Sequence, residues 1–237
     1  MSLDGIRALT VDTGGTVLDW HGGFRDALAR AGQRHGIDRD WATLANALRR
    51  RSLEAMLNLG QNGPPEYNFD QAHRFCLDAL LADEGLDTFD EADRHAIAWE
   101  APHGFAAWPD VKDGLAALRS RLPVVSFTLL SYRLVIDSGR QNGLTWDAIL
   151  SCEGLGVYKL LPEAYRRAAG MLQLAPEQCL MVACHPFDLD AARDVGFRTA
   201  LVRRPLEWGP EPPEMPPPGG YDIEVDDFIA LAQALEG

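Results

Sequence analysis

Four residues of the chain are of types that can form covalent bonds or move protons, and each stands where an open α/β sheet presents its reactive groups. Residues 6–11 (IRALTV) are a short β-rich run that ends in Asp12, and the Gly-rich turn Thr13, Gly14, Gly15, Thr16 follows. An apolar run ending in a carboxylate and a tight turn reads as the C-terminal edge of a parallel sheet. Ligands bind at that edge in such folds. Thr128 closes a second run that begins at Pro123, and Asp188 lies in the turn after a third, residues 179–183. Lys159 precedes a helix that Pro162 opens. With these runs parallel, two carboxylates, a hydroxyl and an ammonium converge on one crevice. Such a set has the parts for nucleophilic and acid–base chemistry.

The elements that must position these groups follow from periodicity. From about residue 22 to residue 100 the pattern is helical, with no clear strand. Phe24, Leu28 and Ala31 share a face, Asp40 is a cap for a helix through Leu44, Leu48 and Ala55, and residues 61–65 (QNGPP) break it. Further helices are expected over about 70–82 and 91–99. After Pro109, strands and helices alternate. Helices are expected at 111–121, 132–142, 163–172 and 189–195, and strands at 123–128, 148–150, 179–183 and 199–202. Alternation of this kind means a parallel sheet with helices on both faces. The Pro-rich stretch 209–220 can form neither a helix nor a central strand, and residues 221–235 read as a last strand and a closing helix.

Five segments in order carry a resemblance that covers nearly the whole chain. Residues 12–19 (DTGGTVLD) match a DxxGTxxD opening, and 143–150 (GLTWDAIL) are similar to a GLPWDAIL-type segment. Residues 157–159 (VYK) with Pro162 and Glu163 match a YKPxPExY lysine motif. Residues 181–189 (MVACHPFDL) resemble AAHNxDL, and 203–209 (RRPLEWG) resemble the stretch that usually follows. The chain thus resembles the haloacid dehalogenase superfamily and, within it, the type II 2-haloacid dehalogenases.

That resemblance implies an α/β fold: a Rossmann-like parallel sheet core, residues 1–19 and 104–237, with an inserted all-helical cap over 20–103. It implies a hydrolase in which Asp12 is the nucleophile, Lys159 balances its charge and keeps it ionised, and Thr128 hydrogen-bonds the carboxylate or the substrate. Asp188 would hold Lys159 and help activate water. Arg49 would bind a halide or carboxylate, and Gly14, Ser131 and His185 would line the substrate site. Three positions depart from the usual pattern: Gly14 replaces an aromatic residue, Thr128 and Leu129 replace a Ser-Asn pair with Ser131 and Tyr132 as a shifted alternative, and His185-Pro186 replaces His-Asn.

Gly14 separates two reactions. Phosphatases of the superfamily use an aspartate two positions after the nucleophile to protonate an alkoxide leaving group. Glycine cannot do this, whereas chloride, bromide and iodide leave without a proton. The expectation is hydrolytic dehalogenation of short 2-haloacids through an aspartyl ester, giving a 2-hydroxy acid and halide, with no metal and no cofactor. Two alternatives stay open: a Mg-dependent phosphatase with Asp12 and Asp188 as ligands, and a non-catalytic relative that only binds.

Simpler readings exist for each residue taken alone. Asp12 could be a turn residue and Lys159 a solvated lysine. Arg49, Arg50 and Arg51 could be one charged face, His185 a packed side chain, and Asp19 is read as the cap of the first helix. Trp20 and Trp99 could line a pocket between core and cap. The formal net charge of -13 argues against nucleic acid, while a small anionic substrate fits a pocket with inward arginines. The four cysteines show no CxxC spacing, so free thiols in a cytoplasmic setting are expected. No run has membrane-spanning length, and a homodimer is compatible with all of this.

Overall fold

The computed structural model describes residues 5–59, 67–212 and 216–236. Its sheet is built from β1 (Ala8–Val11), β2 (Val124–Thr128), β3 (Ala148–Ser151), β4 (Cys179–Ala183), β5 (Arg198–Val202) and β6 (Ile223–Val225). The spatial order is β3-β2-β1-β4-β5-β6, and every adjacent pair is parallel. β1, β2 and β4 are buried at every position. That matches their continuous apolar runs, because a parallel strand covered on both faces has no polar side to present.

Between Asp19 and Gly104 the described residues form α1 (Trp20–His35), α2 (Trp41–Leu59), α3 (Phe69–Asp83), α4 (Glu91–His95), a π-helical turn (Ala96–Glu100) and α5 (Ala101–His103). Asp19 caps α1 by accepting from the Gly22 N–H at 2.8 Å, as its position predicts. Asp40 accepts from Thr43 N–H at 3.1 Å at the start of α2. The helix expected to end at Trp99 instead widens to π bonding and runs on to His103. Pro102, which has no N–H for the ladder, sits in that last turn. The break read at 61–65 lies outside the described residues.

The chain enters and leaves this helical stretch side by side. Leu18 pairs with Ala107 in an antiparallel bridge, Asp19 N–H donates to Ala106 O at 2.8 Å, and Trp108 N–H to Val17 O at 3.0 Å. The remaining helices are α6 (Val111–Arg119), α7 (Tyr132–Asn142), the short α8 (Cys152–Leu155), α9 (Pro162–Met171), α10 (Pro186–Asp194) and α11 (Phe228–Ala234). The path steps from β1 outward to β2 and β3, then from β4 outward to β5 and β6. With right-handed crossovers the two directions put their helices on opposite faces. The reversal falls between β1 and β4, where a crevice opens at the strands' C-terminal ends.

Within the described residues the four cysteines are buried and free, and no helix is long and apolar enough to cross a membrane.

Closure of the fold depends on α6 meeting α11 at Gly114, where an added Cβ would lie 2.4 Å from Phe228 Cβ and 2.7 Å from its backbone carbon. Gly114→Ala should therefore destabilise the protein by about 1–3 kcal/mol through overpacking, read as a lower urea midpoint with an unchanged slope.

Candidate active site

Three separate loops bring the charged groups together. Asp12 follows β1, Lys159 precedes α9, and Asp188 lies in the first turn of α10. Lys159 Nζ stands 3.2 Å from Asp12 Oδ1 and 2.7 Å from Asp188 Oδ2, with only 2% of its side chain exposed. It also lies 4.5 Å over the Phe127 ring. Tyr165 donates its hydroxyl to Asp188 Oδ1 at 2.6 Å. On the far side of Asp12, Thr16 donates to Oδ2 at 2.8 Å and His185 Nδ1 stands 3.3 Å from the same oxygen. The other ring nitrogen of His185 meets Glu207 Oε1 at 2.8 Å, and Trp20 Nε1–H donates to that oxygen at 2.8 Å.

These contacts sort the two carboxylates. Burial alone would raise the Asp12 pKa, but the Lys159 charge, His185 and the Thr16 hydroxyl outweigh it and hold the group well below the usual carboxylate range. Asp188 moves the other way, because burial and the nearby Asp12 charge exceed the pull of Lys159. Asp12 is thus the more readily ionised of the two, the state a carboxylate nucleophile needs. Burial works against a charge on Lys159, yet the two aspartates raise its pKa. His185 is likewise opposed by burial. Its pKa nevertheless lies well above the ordinary imidazole value, because anions surround it. Cys184, its neighbour, has a thiol pushed up to about 11 by burial and is neutral at physiological pH, so Glu207 and Asp12 are the anions that matter there.

Asp12, Gly14, Arg49, Thr128, Lys159, His185 and Asp188 line one small cavity, walled by Leu53, Leu57, Phe69, Leu129, Leu130 and Phe187. Its water-sized space is about 20 Å³, enough for a water molecule or a similarly small group. Arg49 is 5% exposed and reaches it from α2. Its guanidinium lies over the rings of both Trp20 and Phe69, at 5.3 and 5.4 Å from their centroids. Its Nη2 donates to Gly14 O at 3.4 Å, and the buried Nε has no partner among the described residues. An added Cβ on Gly14 would stand 3.3 Å from that Nη2. The space an aromatic residue would fill at position 14 is taken by Arg49 and Leu130.

A family model for haloacid dehalogenase-like hydrolases matches residues 6–196. The chain belongs to that family. A solved defluorinating L-2-haloacid dehalogenase shares 32% identity and superposes with a TM-score of 0.91, covering 98% of this chain and 96% of the other. A second solved L-2-haloacid dehalogenase shares 30% identity at a TM-score of 0.89, covering 97% and 98%. By sequence, (S)-2-haloacid dehalogenase 1 of Pseudomonas sp. (strain CBS-3) is 27% identical over 209 residues, 85% of this chain and 86% of that one.

For this haloacid dehalogenase-like hydrolase, one expected residue needs correcting. Ser131 does not line the cavity. Its hydroxyl donates to Asp70 Oδ2 at 2.6 Å and accepts from Leu134 N–H at 3.0 Å, so it caps α7 and ties it to α3. Thr128 lines the cavity, but the hydroxyl on the Asp12 carboxylate is that of Thr16. The Thr128 oxygen accepts from Leu130 N–H at 3.1 Å. Arg49 separates from its neighbours, since Arg50 and Arg51 pair at the surface with Glu211 and Asp83. Trp20 is buried against Glu207 and does not line the cavity, and Trp99 stacks on His103 at 4.1 Å. Thr16, Tyr165 and Glu207 were assigned no role from sequence. Thr16 sits inside the DxxGT signature and Glu207 inside the 203–209 segment, so both stood in stretches already singled out, but neither spacing says which partner the side chain takes.

The carboxylates do not fit a divalent ion. Magnesium needs a near-octahedral oxygen set, but Lys159 already lies between Asp12 and Asp188, and each of their four oxygens has a donor. Gly14 adds no carboxylate. Cys184, His185 and Glu207 bring donor atoms within 4.8 Å of one another, but those atoms are engaged among themselves.

Replacing Lys159 with Gln leaves two buried carboxylates without their cation. The cost should be about 3–5 kcal/mol at neutral pH. The variant has a distinctive pH response. A buried Asp188 with a raised folded-state pKa binds protons more tightly than the unfolded chain, so stability is gained as pH falls. Urea midpoints should rise from pH 8 to pH 5 relative to wild type, and a parallel pair of profiles would contradict this electrostatic account.

Proposed function

We propose that the protein is a metal-free L-2-haloacid dehalogenase acting on short 2-halocarboxylates. The observation that carries this reading is a nucleophile held ionised by Lys159 in a cavity where Gly14 supplies no acid and a buried arginine supplies an unpaired donor. Asp12 attacks the halogen-bearing carbon from the side opposite the halogen. The carbon–halogen bond breaks, halide departs with the bonding pair, and an ester joins Asp12 to the substrate. Arg49 receives an anionic group of the substrate, the carboxylate or the departing halide, since its Nε has no partner among the described residues. Water then attacks the aspartyl carbonyl carbon and releases a 2-hydroxy acid of inverted configuration. The preference for the L substrate is carried over from the similar enzymes.

In this reading residues 20–103 act as a cap over a core of 1–19 and 104–237, and Arg49 is the cap's contribution to the site. Thr128 contacts the substrate. A phosphatase would require both a general acid and a divalent ion, and the arrangement of Gly14 and Lys159 favours neither.

Purified enzyme with L-2-chloropropionate and excess chelator should release chloride at the same rate as without chelator, and Asp12→Asn should release none. Chelator-sensitive turnover, or metal-dependent phosphate release from phosphate monoesters, would overturn the proposal. Arg49→Lys keeps the charge but loses the planar fork. Losing a hydrogen bond to a charged group costs about 1.5–3 kcal/mol, so its KM should rise roughly 10–100-fold.

A further inference from the structure

Asp188, expected from sequence to help activate water, has both oxygens occupied by Lys159 and Tyr165 and is 2% exposed. His185 is the other group of the same cavity lining whose side chain can take up a proton while Lys159 and Arg49 stay charged. We propose that His185 takes the proton from the hydrolytic water and that Glu207 is its positioning residue. This rests on the aspartyl-ester reading above.

The geometry is built around this pair. His185 lines the cavity, with Nδ1 facing Asp12 Oδ2 at 3.3 Å and Nε2 on Glu207 Oε1 at 2.8 Å. Glu207 is 2% exposed, a costly place for a carboxylate unless it is paired. Trp20 Nε1–H donates to the same Oε1 at 2.8 Å, and the Cys184 thiol to Oε2 at 3.5 Å. Gly15 makes the room. Its φ of +96° suits glycine, and a Cβ there would stand 2.2 Å from Glu207 Oε1. A carboxylate that holds one imidazole nitrogen fixes the tautomer and leaves the other nitrogen to work, the arrangement of a hydrolytic triad.

The charge balance changes during turnover. In the resting enzyme two anions, Asp12 and Glu207, flank His185 and favour the imidazolium. Esterification removes the Asp12 charge, so His185 releases a proton to solvent and becomes neutral, with Nε2–H on Glu207. Water oxygen then bonds to the Asp12 carbonyl carbon while one water proton passes to Nδ1. The tetrahedral adduct collapses by breaking the bond from that carbon to the substrate-bound oxygen. That oxygen takes the proton from His185 and leaves as the hydroxyl of the 2-hydroxy acid. The second water proton stays on the Asp12 carboxyl and is released when the group ionises beside Lys159.

The test separates the two half-reactions. Rapid-quench chloride release from L-2-chloropropionate should show, for Glu207→Gln and His185→Gln, a burst of one chloride per active site. Steady-state turnover should then be about 100-fold or more below wild type. kcat and KM should fall together, with kcat/KM within a few-fold of wild type, and the intact mass should show enzyme esterified at Asp12. Glu207→Asp should recover part of the turnover. Melting temperatures identify a variant that fails to fold, in which case the other variant decides. A wild type that turns over normally, with variants that lose burst and turnover equally and accumulate no ester, overturns the assignment. A wild type that releases no chloride from any 2-haloacid removes the dehalogenase reading and this inference with it.

Discussion

The buried ion triad of Asp12, Lys159 and Asp188 is the constraint on which the site depends. Removing an ammonium from water costs several kcal/mol, and Lys159 is almost fully enclosed. The cost is offset only because one carboxylate meets it from each side of the β1/β4 reversal and an aromatic face meets it from β2. Three loops must arrive together for any one of these charges to be tolerable. The result is a pair of carboxylates with opposite fates, one held ionised and one saturated by its neighbours. A site for nucleophilic attack emerges from what is also an assembly problem of the fold.

Two adjacent glycines admit two groups of opposite charge. The bare Cα of Gly14 leaves space for the Arg49 guanidinium, and Gly15 leaves space for the Glu207 carboxylate. Each group comes from a different part of the chain, α2 and the turn beyond β5. These parts are also tied to each other, through Asn46 Nδ2–H donating to Trp208 O at 3.1 Å and Arg50 pairing with Glu211 at 2.5 Å. The turn after Asp12 is therefore where the helical stretch and the sheet are brought into register around the cavity.

Much of this could be read from the residue order. Five of the six strands fall where apolar runs were found, because a buried parallel strand leaves a plain signature. Asp12, Lys159 and Asp188 could be placed because each closes a strand or opens a helix, and parallel topology sends those ends one way. Ser131 was misplaced by the same reasoning. It lies after β2 as expected, but its hydroxyl turns to cap α7 and bind Asp70, a choice between neighbouring partners that spacing does not encode. Thr128 lines the cavity while Thr16 donates to the Asp12 carboxylate, a choice of side-chain direction that spacing does not encode.

The sequence by itself determined the strands of the parallel sheet, the placing of Asp12 at a strand end and the absence of an acid at Gly14, because local patterning and backbone periodicity are properties of neighbours along the chain. The tertiary structure decided what surrounds the nucleophile: Arg49 rather than Arg50 or Arg51, Thr16 rather than Thr128, and the unforeseen pairing of Glu207 with His185. The contacts around the site join residues up to 187 positions apart in sequence, as Trp20 with Glu207. Their selection rests on packing and on the need to pair every buried charge, which no single segment can satisfy alone.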